Sequence, residues 1–140
     1  MRTVRDSSGK RYLLLKRSGS SSLVRDPETG AERYVGNEDL EAVDGESPLA
    51  TAAAGVPAAV RRLITAAPND RALGLLVELV DRGPLSAVEL LDAYDLCESD
   101  LHGVIAEFRA AGLVEETRVY GERGYDATAL ATDAVAAIRR

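Results

Sequence analysis

The chain has 140 residues, 46% of them apolar, with seventeen Lys or Arg against twenty-three Asp or Glu and a formal net charge of −6. That length holds one ordinary domain, or a compact domain with a small appendage. No apolar run approaches the roughly 20 residues of a membrane span, charge arrives at Arg2 before any apolar stretch, and the single cysteine, Cys97, excludes an internal disulfide framework and a cysteine-based zinc site. A soluble, cytoplasmic protein without a signal peptide is expected.

Residues 1–36 read as two β-hairpins. Thr3-Val4-Arg5 and Tyr12-Leu13-Leu14-Leu15 flank the turn-forming Ser7-Ser8-Gly9, and Leu23-Val24-Arg25 and Arg33-Tyr34-Val35 flank Asp26-Pro27-Glu28-Thr29-Gly30. In the second turn Pro27 presets φ for a type I turn and Gly30 supplies the left-handed position. A four-stranded meander of this size has one weakly buried face and should dock on the helical part or on a partner chain. It carries eight Lys or Arg against four Asp or Glu, a balance of +4, which leaves −10 for the remainder. Because side chains alternate along a strand, Arg5, Arg11 and Arg17 are expected to line one face as an accessory basic patch. The same cations could instead neutralise the acidic half through surface pairs.

Residues 37–50 lack periodicity and concentrate Asn, Asp, Glu, Gly, Ser and Pro, which predicts a linker before a domain spanning 51–140. Val56, Val60, Leu63, Ile64 and Ala67 then form one apolar stripe of a helix with Pro57 in its first turn and Pro68 at its stop. Asn69 or Asp70 caps the next helix, in which Leu73, Leu76, Val77 and Val80 share a face, and Gly83-Pro84 ends it.

The segment from Leu85 to Val114, LSAVELLDAYDLCESDLHGVIAEFRAAGLV, is the most specific in the chain. Ser86 with Glu89 three residues on is a capping box that opens a short helix. Asp95-Leu96 makes a turn, Cys97 stands at the cap of a second helix, and Leu101, Val104, Ile105 and Phe108 give that helix its buried face. Gly112 suits the left-handed end of the helix, and Leu113-Val114 starts a strand. Strands over 115–119 and 125–127 are expected around Gly121-Glu122-Arg123-Gly124. Thr128 would then cap a last helix with Leu130, Ala134, Val135 and Ile138 on one face.

This order of elements resembles the winged helix-turn-helix of transcription regulators such as the MarR, ArsR and PadR groups, in particular the closing Ala111-Gly112-Leu113-Val114. The N-terminal hairpins are similar to the small β appendage of a haloarchaeal branch of winged-helix proteins. The resemblance implies an α+β fold, a winged helix-turn-helix with an N-terminal β extension. It also implies a DNA-binding transcription regulator, and the apolar helices at 56–67 and 129–139 offer faces of which one or both would pair a homodimer across a two-fold axis. The expected DNA contacts are Ser99 and His102 on the second helix and Arg118, Tyr120 and Arg123 on the wing. Gly103 stands where such families carry Arg, and Glu98, Asp100 and Glu107 add negative charge to the same helix. A second reading is therefore a winged-helix protein-protein interaction module within a complex, without DNA contact.

Fifteen of the seventeen basic residues are Arg. The Lys-poor, Ala-, Asp- and Glu-rich composition resembles that of halophilic proteins, and acidic proteins of other high-GC organisms share it. At 1 M salt the Debye length is about 3 Å, so net negative charge would hardly repel DNA. One His, one Cys and no nucleotide-binding glycine loop leave few ways to build a catalytic constellation. No Cys or His cluster offers metal-ligand spacing. The expected protein is non-enzymatic, with no cofactor and no metal. Cys97 reads as a substitute for a Ser cap, or as a thiol made reactive by the helix start.

Overall fold

A computed structural model describes residues 1–139, and in it the chain is mixed α+β, with six helices and two antiparallel sheets. The chain divides into two compact units, Met1–Pro57 and the residues from Ala58 onward.

The first unit is a five-stranded sheet: β1 (Arg2–Arg5), β2 (Arg11–Arg17), β3 (Ser21–Arg25), β4 (Glu32–Gly36) and β5 (Glu41–Ala42), in the order β4-β3-β2-β1-β5. Both expected hairpins form, and Gly9 (φ 88°) and Gly30 (φ 76°) take the left-handed positions of their turns. The segment 37–50 is not a linker. It holds a 3-10 turn at Asn37–Asp39, then β5, which pairs with β1, and the start of helix α1 (Pro48–Ala53).

These pieces cover the meander from within its own unit. Leu40, after the 3-10 turn, packs with Leu14 and Val35 against buried Val4, Tyr12 and Val24 on one sheet face. On the other face, the Thr51 hydroxyl of α1 shares a 2.6 Å hydrogen bond with that of Thr3, and both residues are buried. Gly55, just past α1, lies so close to the Pro27 carbonyl that a Cβ there would collide with it. The meander therefore finds its covering layer in residues 37–55, and the sequence pattern missed this because α1 is short and Ala-rich.

The second unit contains α2 (Ala58–Ala66), α3 (Asp70–Arg82), β6 (Leu85–Ser86), α4 (Ala87–Tyr94), α5 (Glu98–Ala110), β7 (Val114–Val119), β8 (Glu122–Ala127) and α6 (Ala129–Ile138). Its sheet runs β6-β8-β7. The local signals act as expected. The Asn69 side chain accepts from the Ala72 amide, Ser86 and Glu89 form a reciprocal capping box, and Thr128 accepts from the Ala131 amide. Each such cap is worth about 1 kcal/mol. Gly112 ends α5 at φ 77°.

The buried faces differ in detail. In α3 the buried residues are Ala72, Leu75, Leu76 and Leu79, while Leu73, Val77 and Val80 flank them half-buried. Helix α2 starts after Pro57, which leaves Val56 outside it, and Ile64 is 65% exposed while Val60 and Leu63 are buried. In α6, Ala131, Ala134 and Val135 are buried and Ile138 is exposed. Phe108, Leu76, Leu90, Leu113 and Val135 lie at the centre of one continuous core. Tyr94 fastens α4 to α3: its hydroxyl donates to Glu78 (2.8 Å) and accepts from Arg82. Burial, then the bond to Glu78, holds the Tyr94 phenol above its ordinary range.

Candidate functional site

Helix α5 and the β7–β8 hairpin together present the most varied exposed chemistry of the second unit. Leu101, Ile105 and Phe108 anchor α5 in the core, with Val104 half-buried, which leaves Glu98, Ser99, Asp100, His102, Gly103, Ala106 and Glu107 exposed. Asp95 sets the angle at which α5 leaves α4 by taking a left-handed conformation (φ 51°) at the end of α4. Cys97 holds the cap position without capping. Its thiol is exposed and lies 3.3 Å from the Ser99 hydroxyl, and no side-chain bond reaches the helix amides.

The hairpin is tighter than the sequence suggested. Val119 pairs with Glu122, so the turn is Tyr120-Gly121 alone, with φ of 51° and 80°. Two consecutive left-handed residues make the type I′ turn whose twist matches that of paired strands. Arg123 thus lies in β8, directly opposite Arg118, and their side chains share a face. Two and four residues further down, that face carries Glu116 opposite Tyr125 and Val114 opposite Ala127, so it runs from the buried core outward to the paired arginines. Tyr120, at the tip, is 99% exposed and packs against nothing.

Of the residues expected to act together, the structure joins His102 to Arg123: both line a cleft of about 100 Å³ with Glu98, Leu101 and Tyr125. Ser99 belongs elsewhere. It lines a cleft of about 400 Å³ between α3 and α5, with Arg71, Leu75, Leu96, Asp100, Gly103 and Glu107 among its neighbours. Arg118 donates to the Gly121 carbonyl at 3.3 Å. Arg123 pairs with Glu116 at 2.9 Å, and Glu116 also faces Arg109 at 3.5 Å. Sequence reasoning missed Glu116 and Arg109. Strand alternation from Arg118 would have found Glu116, because residues two apart share a face. Arg109 follows only from the packing of α5 against β7.

The expected stripe of Arg5, Arg11 and Arg17 does not form a free basic face. Arg5 lies opposite Arg11, but Glu41 binds Arg5 at 3.1 Å and Glu46 takes both ends of the Arg11 guanidinium at 2.7 Å. The Arg11 bond holds the Glu46 carboxyl below its ordinary range. Arg17 leaves their face because β2 bulges between Leu14 and Lys16, which reverses the alternation beyond it. Lys10 is likewise tied, to Asp26 at 2.7 Å.

Among the described residues, no three His, Cys, Asp or Glu side chains converge as a metal site requires, and no helix is long and apolar enough to cross a membrane. The molecule is thus a two-unit α+β protein with an exposed helix-and-hairpin surface. Residues 1–139 match a family of unknown function, DUF7346, and the chain belongs to that family. No curated protein and no solved structure matches it.

Proposed function

We propose that residues 58–139 are a winged helix-turn-helix that docks on duplex DNA, with α5 as the recognition helix and the β7–β8 hairpin as the wing, and that the protein is a non-enzymatic transcription regulator. The observation that carries this reading is the hairpin tip. A tyrosine held in a left-handed conformation costs about 1–2 kcal/mol, and Tyr120 takes that conformation while burying nothing. The type I′ turn accounts for that backbone, and a strained tip whose ring is fully exposed suits a contact site. Behind Tyr120 stand Arg118 and Arg123 on one face, beside exposed His102. This arrangement suits a hairpin that follows phosphates while α5 enters the major groove.

Exposed Ile64 on α2 and Ile138 on α6, two helices that pack on each other, are the surface through which a homodimer would pair. Two-fold pairing would make the DNA site palindromic. Acidic Glu98, Asp100 and Glu107 oppose docking at low salt, and concentrated salt screens them.

Charge reversal tests the reading. Arg118→Glu with Arg123→Glu should weaken binding to the duplex recovered by crosslinking from the native cell at least about tenfold, and should lower the slope of log K against log salt by about 2. Binding equal to that of the parent would remove the hairpin from the interface.

One observation favours a second reading, a protein-docking module. The 400 Å³ cleft beside α5 is lined largely by apolar groups and opens at Gly103, where an added Cβ would meet nothing. On that reading, Glu98→Lys with Asp100→Lys removes a co-purifying protein and leaves DNA recovery at background. An unchanged partner set with those variants excludes it.

A further inference from the structure

The cations of the first unit that carry no polar partner point to a surface different from the stripe expected from sequence. Arg5, Lys10 and Arg11 are held by Glu41, Asp26 and Glu46. Arg33 donates to the Tyr12 hydroxyl and lies over its ring. Arg2, Lys16, Arg17 and Arg25 have no hydrogen bond or ion pair among the described residues. Strand register places Lys16 and Arg25 on one sheet face, and Arg2 and Arg17 on the other. Lys16 lies opposite Leu23, and Leu23 opposite Tyr34, so these side chains form a row across β2, β3 and β4. Arg25, two residues along β3 from Leu23, is on the same face, opposite Leu13 on β2 and Glu32 on β4. Helix α1 covers this face at Thr3 on β1 and in its contacts with β2. Beyond it the row is open: Lys16 is exposed and Tyr34 is 60% exposed.

We propose that this open half-face is a single-strand nucleic-acid platform, with a base stacked on the Tyr34 ring and flanking phosphates held by Lys16 and Arg25. Neighbouring strands are about 4.8 Å apart, so Lys16 and Tyr34 stand roughly 10 Å apart across the row. That separation lets an extended strand lay a base on the ring while a phosphate one or two linkages away meets the ammonium. A three-stranded surface is too broad to enter a groove of duplex DNA, and stacking on a tyrosine needs an unpaired base. Sequence-tolerant binding to aromatic and basic side chains on a sheet is a known physical route to single-strand affinity. Glu32 lies on the same face, opposite Arg25 in register and not bonded to it. It biases the phosphate path toward the Lys16 end. This proposal is independent of the duplex reading, because it uses none of the residues of the helix-and-hairpin surface.

The test uses the full chain and a fluorescein-labelled mixed-sequence deoxyoligonucleotide, followed by anisotropy. Tyr34→Ala should weaken binding about tenfold while Tyr34→Phe keeps it. Lys16→Ala with Arg25→Ala should lower the salt slope by about 1.4, the loss of two single-strand phosphate contacts. The chain has no Trp, so Tyr34→Trp places one indole on the platform, and its emission should be quenched as the oligonucleotide saturates. Tyr34→Ala should bind the duplex recovered by crosslinking as the parent does, which separates this outcome from failure of the duplex reading. Unchanged affinity in Tyr34→Ala, or an indole that saturating oligonucleotide leaves unquenched, overturns the proposal. Displacement by polyglutamate with equal loss in the parent and in Tyr34→Ala would assign the patch to an acidic polypeptide and also overturn it.

Discussion

Phe108→Ala should lower the melting temperature of the helical unit by about 15–30 °C, read by circular dichroism at 222 nm. Phe108 is the chain's sole phenylalanine and is fully buried. It sits in one buried cluster with Leu63 of α2, Leu76 of α3, Leu90 of α4, Val135 of α6 and Leu113 just before β7, so truncating it opens a cavity in the core that these elements share. Truncating a buried Phe to Ala costs about 3–5 kcal/mol, part from lost transfer energy and part from the cavity. Against a whole-domain stability of about 5–15 kcal/mol, that is a large share. Helices α2 to α6 dominate the 222 nm signal, so the loss is read where it occurs. Ile105→Val, one methylene smaller on the same helix face, should cost only about 0.5–1.5 kcal/mol. Binding in Phe108→Ala should follow the folded fraction and recover on cooling. A melting point within a few degrees of the parent would mean that α5 is not anchored by this ring.

The order of elements was legible in the sequence wherever the signal is local and chemical. Asn69, Ser86 with Glu89, Thr128 and Gly112 each satisfy orphan groups at a helix end within a few residues, and each stands where its residue type predicts. Face assignments were less legible. Helix α3 is apolar over most of its circumference from Ala72 to Val80, so two overlapping stripes fit the period and only packing against α6 and β8 selects one. The covering layer of the first unit was illegible, since β5 is two residues and α1 six, too short to carry a period.

The candidate site was half legible, for reasons that lie in strand geometry. Arg118, Tyr120, Arg123 and His102, expected from the sequence as DNA contacts, are all exposed, but the placing of Arg123 in a loop followed from counting Gly124 as a turn residue. The turn needed only Tyr120-Gly121. The basic stripe failed on one inserted residue, the bulge after Leu14, and on two acids, Glu41 and Glu46, from the segment taken for a linker. Alternation is reliable only while the register holds, and a bulge leaves no composition signal in a run such as Leu13-Leu14-Leu15.

Gly124→Ala should be more damaging than Gly121→Ala, although Gly121 is the glycine with the unusual backbone. At Gly121 the cost is conformational: φ is 80° and an added Cβ would meet nothing within 4 Å, so alanine pays only the left-handed penalty of about 1–2 kcal/mol. Gly124 has no positive φ, and its constraint is steric. A Cβ there would lie 2.6 Å from Val119 Cγ2, 2.7 Å from the Leu85 carbonyl oxygen and 3.1 Å from Ser86 Cα. The valine methyl can rotate away, but the two β6 backbone atoms cannot. Gly124 occupies the central strand opposite Ser86 on one side and Thr117 on the other, so β6 must move out or β8 must bend. Moving β6 drags Ser86, the cap of α4, and with it the helix before α5. Overpacking of this kind costs about 1–3 kcal/mol, and the partial loss of a cap adds up to about 1 kcal/mol. Thermal melts of the two variants should therefore place Gly124→Ala lower, and amide exchange should show Tyr125 losing protection in that variant alone. The reverse order of melting points would mean that β6 yields freely. The hairpin would then be set by its turn, and not by the close approach of β6 at its base.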